Sequence, residues 1–356
     1  MKTLSLKPLF LSAIAALSII SCNKSDAPET PQNRDAALIT EFFAKNGPAV
    51  ERFTVDASTG GVISTSKGTK YKIPAGAFVN ASGQVVTGNV VVDIKEITKV
   101  SEMILGNKPS TTTDGGILVS YGEFFVKASQ NNNQLQLKKD SAVLVQVIAK
   151  PAAQIREMPI WDGDSLVTYT STGYDHENTA VTITQQYAVN KGIQWTQANG
   201  YALFNGTTGT LDFKLDSLLN WRNCDVLYNI PGVKTTVMGY FANNFNEETS
   251  AAYGGEQPSM LFFKPKNENS LVKLYNVILN APAGKKGFHS YQTSIPIGLE
   301  GTFLAISAVN GKFYAEMKDV TIAAPLAGKT YTGVTFDPQE VSETALLALI
   351  NQMNSK

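Results

Sequence analysis

The stretch "GNVVVDIKEI", residues 88 to 97, decides which class of fold this chain adopts. Val90, Val92 and Ile94 occupy alternate positions, and the charged Asp93 lies between two of them. A period of two places alternate side chains on opposite faces of an extended backbone, whereas a helix would need a period of 3.6. The stretch is therefore predicted to be a β-strand with one face toward an apolar core.

The same alternation recurs along most of the chain. It is found in "SAVLVQVIAK" (141–150), in "LVKLYNVILN" (271–280) and in "TFLAISAVNGKFYAEMKDVTI" (302–322). The last of these contains Asn310-Gly311 between two apolar runs, which is a strong hairpin signal. Strands of this length and spacing predict a mostly β fold with two β-sandwich modules.

Two short helices are expected beside the β modules. The first lies within residues 35 to 52, where apolar side chains share one stripe before a Gly-Pro pair ends the helix. The second lies within residues 336 to 353, where Asp337 can serve as the N-cap and Pro338 can occupy the first helical position.

The amino terminus has the pattern of a secretory signal. Lys2 and Lys7 form a positive region, and the run from Leu9 to Ile20 carries no charge. The run is too short for a stable transmembrane helix, which needs about 20 apolar residues. It closes with "IISC" (19–22), which resembles the lipobox of bacterial lipoproteins. The resemblance implies that Cys22 carries the lipid and begins the mature chain. The alternative is an ordinary signal peptide with a cysteine there by chance.

The residues after Cys22 have the composition of a solvated tether. Residues 22 to 34 are rich in Pro, Ser, Asp and Glu, so they cannot bury enough apolar area to fold. Without residues 1 to 21 the chain keeps 28 basic and 30 acidic residues, because two of its 30 Lys and Arg lie in that segment. This balance does not suggest a nucleic-acid partner. We expect an outer membrane lipoprotein held by lipid, on either the periplasmic or the cell-surface side.

Cys224 is the other of the two cysteines in the chain, and three roles are open to it. A lipidated Cys22 leaves it without a disulfide partner. A zinc site is a weak alternative, because only His176 and His289 could join it. A nucleophile would need a neighbouring base, and no signature surrounds Cys224. The favoured interpretation is a buried apolar side chain.

Alternation around Cys224 also predicts which neighbours point away from it. On a strand, Cys224 shares one face with Arg222 and Val226, whereas Trp221, Asn223 and Asp225 share the other. If this stretch contacts a ligand, the second set is the better candidate. Asn223 and Asp225 are unfavourable inside strands, and we expect them to close backbone hydrogen bonds at a junction.

Other short sequence patterns indicate few modification or metal-binding sites. Ser141, Ser165 and Ser217 each follow Asp and precede an aliphatic residue or alanine, which resembles the O-glycosylation acceptor of Bacteroidetes. The two acids of "WDGDSL" (161–166) could bind calcium, but a turn is the better interpretation because a calcium loop supplies more ligands. No catalytic residue, cofactor site or metal site is predicted.

One part of the chain resembles a known family. The segment "GGVISTSKGTKYKIPAGAFVNASGQVVTGNVVVDIKEI" (60–97), with its "IPAGAF" corner, is similar to the opening of a ZU5-type domain. The chain as a whole resembles Bacteroidetes lipoproteins in which a ZU5-like module precedes a segment similar to W-x-N-C-D. The resemblance implies a β-sandwich fold and says almost nothing about activity.

These patterns together predict an order of segments along the chain. They are a lipoprotein signal peptide (1–21), a flexible tether (22–34), a short helix (35–52), a ZU5-like β-sandwich (53–150), a turn-rich β segment (151–225), a second β-sandwich (226–325) and a C-terminal helix (336–353).

The expected function is a non-enzymatic binding or scaffold module for a glycan or an envelope protein. Few titratable residues have catalytic spacing, whereas aromatic, Asn and Thr residues are frequent in the predicted loops. The alternative is a carbohydrate-active hydrolase or an esterase whose site is assembled from distant strands. A third possibility is assembly of copies through β-edges.

The lipobox prediction can be tested at one residue. The Cys22→Ala variant has no thiol for the lipid, so we expect it to leave the membrane fraction and appear in the soluble fraction. Fractionation with an antibody against the folded part measures this. Continued membrane attachment of the variant would rule out an anchor at Cys22.

Overall fold

The computed structural model describes residues 34–149, 157–251 and 255–356. The signal peptide and nearly all of the tether, with Cys22, lie outside the described residues. The described part is mostly β, with 51% strand and 12% helix, which confirms the predicted fold class. Within these ranges, no helix combines the length and apolar character needed to cross a membrane.

Fifteen strands precede residue 230 in the part of the chain that the structure describes. They are β1 (Val50–Asp56), β2 (Gly61–Ser64), β3 (Lys70–Ile73), β4 (Phe78–Val79), β5 (Asn89–Ile97), β6 (Leu118–Gln130), β7 (Asn133–Gln134), β8 (Gln136–Leu137), β9 (Val143–Ile148), β10 (Glu157–Asp164), β11 (Val167–Tyr174), β12 (Ala180–Asn190), β13 (Gln194–Asn205), β14 (Thr210–Leu215) and β15 (Trp221–Leu227).

Eleven of these strands form the large sheet of the first module. The order across the sheet is β1-β5-β6-β15-β10-β13-β14-β9-β3-β2, and β7 pairs with β6. Val55 of β1 and Ile63 of β2 lie at opposite ends of this order but are buried in the same core. A Cβ placed on Gly61 would lie 3.0 Å from Val55 Cγ1, so the two ends of the sheet approach each other. The sheet therefore curves around a single core.

The structure does not divide the chain at residue 150. Strands β10, β13, β14 and β15 come from the segment 151–225 and stand between β6 and β9 in the sheet. Leu211, Phe213 and Leu215 of β14 are buried in the same core as the earlier strands. A module of residues 53 to 150 alone would leave β6 and β9 without these partners. The remaining strands of the segment, β11 and β12, form a separate hairpin.

The second module contains ten strands in two sheets. They are β16 (Lys234–Phe241), β17 (Ser259–Pro265), β18 (Val272–Leu274), β19 (Asn276–Val277), β20 (Gly287–His289), β21 (Ile295–Pro296), β22 (Glu300–Val309), β23 (Lys312–Thr321), β24 (Tyr331–Phe336) and β25 (Gln339–Val341). One sheet has the order β19-β20-β16-β21 with β24 parallel to β16, and the other has the order β18-β17-β22-β23-β25.

The sheet centred on β17 and β22 is buried on both faces. Phe263 and Phe303 point into the core between the two sheets, where their rings lie 4.6 Å apart. Phe262 and Leu304 point to the opposite face. That face is covered by the helices α1 (Arg34–Asn46), α2 (Val100–Leu105) and α3 (Glu343–Gln352). Since α2 belongs to the first module, this packing joins the two modules.

The turns and helix ends follow the local signals only in part. Asn310 and Gly311 both have positive φ and join β22 to β23, which confirms the predicted hairpin. The C-terminal helix, however, begins at Glu343 with Ser342 as its N-cap, so the prediction that Asp337 caps it is wrong. The physical reason is strand pairing: β24 and β25 take up the residues on either side of Asp337.

Cys224 is buried in the core of the first module. Its side chain has no exposed surface, and its Sγ donates to Met158 Sδ at 3.2 Å. Burial, with a smaller contribution from the charge of Asp225, raises the pKa of the thiol well above its usual range. A thiol in this state is not a nucleophile at neutral pH.

The burial of Cys224 predicts the effect of a polar replacement. Cys224→Ser places a hydroxyl among apolar side chains, so we expect the free energy of unfolding to fall by about 1–3 kcal/mol. Urea unfolding measures this. The matched control is Leu227→Ser on the same strand, because Leu227 is 54% exposed and its replacement should cost much less. Equal stability of Cys224→Ser and the parent chain would contradict this placement of the thiol.

Candidate functional site

The three predicted contact residues lie on the face of β15 that points away from Cys224. Trp221 is partly exposed and packs against Phe125, with 5.4 Å between the ring centroids. Asn223 and Asp225 have no exposed surface, so the expectation that they contact an external ligand does not hold. Their face of the sheet packs against the loop before β18, where Ser120 N donates to Asn269 O at 2.9 Å. They therefore belong to the seam between the two modules.

Asn223 and Asp225 close hydrogen bonds around an irregularity in the sheet. Between them the pairing of β15 with β6 shifts register, because Asn223 pairs with Glu123 and Asp225 pairs with Ser120. Ser120 Oγ donates to Asn223 Oδ1 at 3.2 Å, and Tyr121 N donates to Asp225 Oδ1 at 3.3 Å. The Asn223 amide also donates to the Asp225 carboxylate. These side chains satisfy polar groups that the bulge removes from the regular ladder.

Glu123 has a carboxyl group that is fully buried at the seam. It has no exposed surface, and neither carboxylate oxygen has a hydrogen-bond partner among the described residues. Burial, and then the nearby charge of Asp225, raises the pKa of Glu123 well above its usual range, and the ammonium of Lys108 opposes the shift. Burial therefore favours the neutral, protonated form of this carboxyl group in the folded protein.

Lys273 is a second buried ionisable residue, and it lies on the other side of the seam. Lys273 of β18 donates from Nζ to Asn107 Oδ1 at 3.0 Å, and Asn107 Nδ2 donates to Glu256 Oε2 at 2.7 Å. Burial lowers the pKa of Lys273 to about 8, and the charge of Glu256 opposes the shift. Asn107 belongs to the first module and Lys273 to the second, so this network fixes the two modules to each other.

A cleft of about 770 Å³ lies in the first module. It lies where β13 and β14 meet β10 and β15. Leu144 of β9 lines the cleft from one side. The other lining side chains include Asn199, Tyr201, Leu203, Phe204, Asn205, Asp212, Lys214, Asp216 and Arg222. Its volume lies in the range typical of ligand pockets.

One wall of the cleft is a β-bulge in β13. Pro159 pairs with Tyr201, whereas Trp161 pairs with Gln197, so β13 contains two more residues than β10 in this interval. Gly200 sits in the bulge with a φ of 144°, a conformation that side chains rarely allow. The bulge carries Tyr201 outward, and its side chain is 50% exposed at the cleft. An Asn-Gly pair inside a strand pattern is a bulge signal, and it could have indicated this wall from the sequence.

Three charged groups beside the cleft, Arg222, Asp162 and Asp216, are already paired with one another. Arg222 Nη1 lies 2.5 Å from Asp162 Oδ1, and its Nη2 lies 2.6 Å from Asp216 Oδ1. Burial raises the pKa of Asp162, and the charge of Arg222 opposes that shift. The guanidinium thus has both ends occupied by carboxylates of the chain itself.

Asp212 is held as an ionised acceptor. Burial acts to raise its pKa, but hydrogen bonds from Thr210, Gln146 and Asn205 together hold the pKa below the usual range. Gln146 Nε2 and Asn205 Nδ2 both donate to Oδ2, at 2.9 and 3.1 Å, and Thr210 Oγ1 donates to Oδ1 at 2.5 Å. A carboxylate has about four acceptor positions, and these three donors fix the orientation of the group.

The three predicted O-glycosylation sites differ in accessibility. Ser165 is exposed in the turn between β10 and β11. Ser141 is partly buried, and its backbone N donates to Lys138 O at 2.9 Å. Ser217 is also partly buried, and its Oγ accepts a hydrogen bond from Arg222 Nη2 at 3.0 Å. Ser165 is the acceptor that a transferase would reach most easily.

Histidine and acid positions give no metal centre in the part of the chain that is described. No group of three or more His, Cys, Asp or Glu side chains there is arranged to hold a metal ion. His289 is buried in the second module, where burial lowers its pKa to about 4. Its Nδ1 lies 2.8 Å from Ser290 O. In "WDGDSL", Asp162 is paired with Arg222, and Asp164 is the last residue of β10.

The raised pKa of Glu123 predicts how stability depends on pH. The unfolded chain releases this proton near the ordinary glutamate pKa of 4.5, whereas the folded protein retains it to a higher pH. The folded state then binds more protons than the unfolded state, so stability at this site is lost as the pH rises from the unfolded pKa toward the folded one. Glu123→Gln keeps the shape and removes the titration. We expect the variant to gain stability over the parent as the pH rises from about 5 to about 8.

Urea unfolding of both proteins across this pH range measures the difference. The matched control is Glu41→Gln, which makes the same replacement at an exposed position of α1. Parallel stability curves for Glu123→Gln and the parent would show that Glu123 titrates normally in the folded protein.

No family model, curated protein or solved structure was found to match the chain. The likeness to ZU5-type domains therefore remains an expectation from the sequence.

Proposed function

We propose that this chain is a lipid-anchored protein of the outer membrane that binds a glycan or a protein without transforming it. The cleft of the first module is the observation that carries the proposal. It combines an exposed aromatic ring on a bulge, Tyr201, with polar groups that are held in place by internal hydrogen bonds. Such a combination of a few fixed polar groups with apolar walls is typical of ligand sites.

The shape of the site favours a glycan over a protein. A stable protein interface buries about 800 Å² per partner on a broad surface. A cleft of about 770 Å³ instead suits a few linked small units. A protein partner remains the other outcome of the test below.

The anchor and location come from the amino-terminal pattern. Lipid on Cys22 would hold the folded part near the membrane, and residues 22 to 34 would act as a solvated spacer. This arrangement would leave the cleft accessible to envelope polymers.

A hydrolase is the second candidate, and Asp162 is the observation that favours it. Glycoside hydrolysis needs one carboxyl group with a raised pKa beside an ionised one, and the pKa of Asp162 is raised by burial. However, Asp162 is ion-paired with Arg222, and the same guanidinium also holds Asp216. Asp212 is kept ionised by its three donors. These carboxylates are engaged in internal structure, which supports binding over catalysis.

Affinity capture from the native envelope tests the proposal. The lipidated chain in detergent serves as bait, and we expect it to retain an envelope glycan. The Tyr201→Ala variant should retain at least several-fold less, because it loses the exposed ring of the cleft wall. Sugar analysis and mass spectrometry of the eluate measure both classes of ligand.

The matched control is Tyr169→Ala, which removes a ring of nearly equal exposure, 49%, from β11 outside the cleft. It should retain as much as the parent bait. Recovery of neither glycan nor protein, or equal recovery by Tyr201→Ala, would overturn the proposal. Shortened saccharides after incubation with the bait would favour the hydrolase instead.

A further inference from the structure

We infer that the cleft of the first module takes a neutral, hydroxyl-rich oligosaccharide rather than a charged one. The inference rests on the proposed binding function and specifies the chemistry of its ligand. Three features carry it: the aromatic wall, the fixed carboxylate of Asp212 and the charge balance around Arg222.

The aromatic wall suits the face of a sugar ring. Tyr201 and Leu203 are two positions apart on β13, so their side chains leave the strand on the same side, and each is about half exposed. A pyranose ring presents C–H groups on its faces and hydroxyls around its edge. Stacking of such a face on a tyrosine ring removes apolar surface from water while the hydroxyls stay free for hydrogen bonds.

The polar groups of the cleft are set to accept from hydroxyls. Three donors hold the Asp212 carboxylate in one orientation, so an incoming hydroxyl meets a fixed acceptor and little conformational entropy is lost on binding. The side-chain amide of Asn199 on the bulge is exposed and offers both a donor and an acceptor. Hydroxyl groups can satisfy both kinds of partner at once.

The charge balance disfavours an anionic ligand. Arg222, the cation best shaped for a carboxylate or sulfate, is engaged at both ends by Asp162 and Asp216. An anion would have to displace one of these carboxylates from a largely buried guanidinium. Among the described residues, two acids, Asp212 and Asp216, and two bases, Lys214 and Arg222, line the cleft. The cleft thus has no excess of positive charge.

Titration calorimetry with defined probes tests the inference. The lipidated chain in detergent is titrated with neutral hexasaccharides that differ in backbone (cello-, malto-, xylo- and manno-oligomers) and with hexagalacturonate as the charged probe. We expect at least one neutral probe to bind, with an affinity that changes less than about twofold between low and high salt. Tyr201→Ala should weaken that binding about tenfold, the effect of one lost ring contact. Tyr169→Ala should leave it unchanged.

The outcomes separate the ligand class from the proposed function. Tighter, salt-sensitive binding of hexagalacturonate would overturn the neutral-ligand inference and leave the binding function standing. If no neutral probe binds while envelope capture still depends on Tyr201, the neutral-ligand inference is also overturned and the binding function also stands. Failure of the probes together with loss of any Tyr201-dependent capture would overturn both. Equal affinity of Tyr201→Ala and the parent for a neutral probe would place the saccharide outside the cleft.

Discussion

The burial of strand β15 on both of its faces is the constraint on which the rest of the structure depends. β15 stands between β6 and β10 in the large sheet. One face sends Cys224 into the apolar core and Arg222 to the cleft, and the other sends Asn223 and Asp225 into the seam between modules. A shift of its pairing by one residue would exchange these faces and place a carboxylate in the apolar core. The pairing register of β15 therefore determines the core, the cleft and the seam together.

The seam shows how the protein joins two modules through polar rather than purely apolar contacts. The buried Glu123 and Lys273 both lose solvation on folding, and among the described residues only Lys273 gains a hydrogen bond, to Asn107. Such groups stabilise little on balance, but they penalise every other arrangement of the modules. The apolar contacts between the modules are made by the helices on the outer face of the second module, where α2 of the first module packs beside α1 and α3. Burial of apolar surface holds the two modules together, and the buried polar groups select one relative orientation of the modules.

Local patterns were enough to predict the strands but not their partners. The alternation at Val90, Val92 and Ile94 identifies a strand wherever it is placed, because the period of side chains is a property of the backbone. It does not indicate that β14 pairs with β9, since that pairing joins residues more than 60 positions apart. The same limit explains the error at Asp337. Its Asp-Pro sequence is a good helix start locally, yet long-range pairing of β24 and β25 uses those residues first.

The sequence by itself determined the β class, the Asn310-Gly311 hairpin and the two-faced character of "NWRNCD", because each depends on the conformation of consecutive residues. Only the tertiary structure decided what each face meets. Asn223 and Asp225 looked available for a ligand, but the second module covers them, and the open site lies instead beside Arg222 and Tyr201. Exposure is a property of what packs against a strand, and those neighbours come from distant parts of the chain.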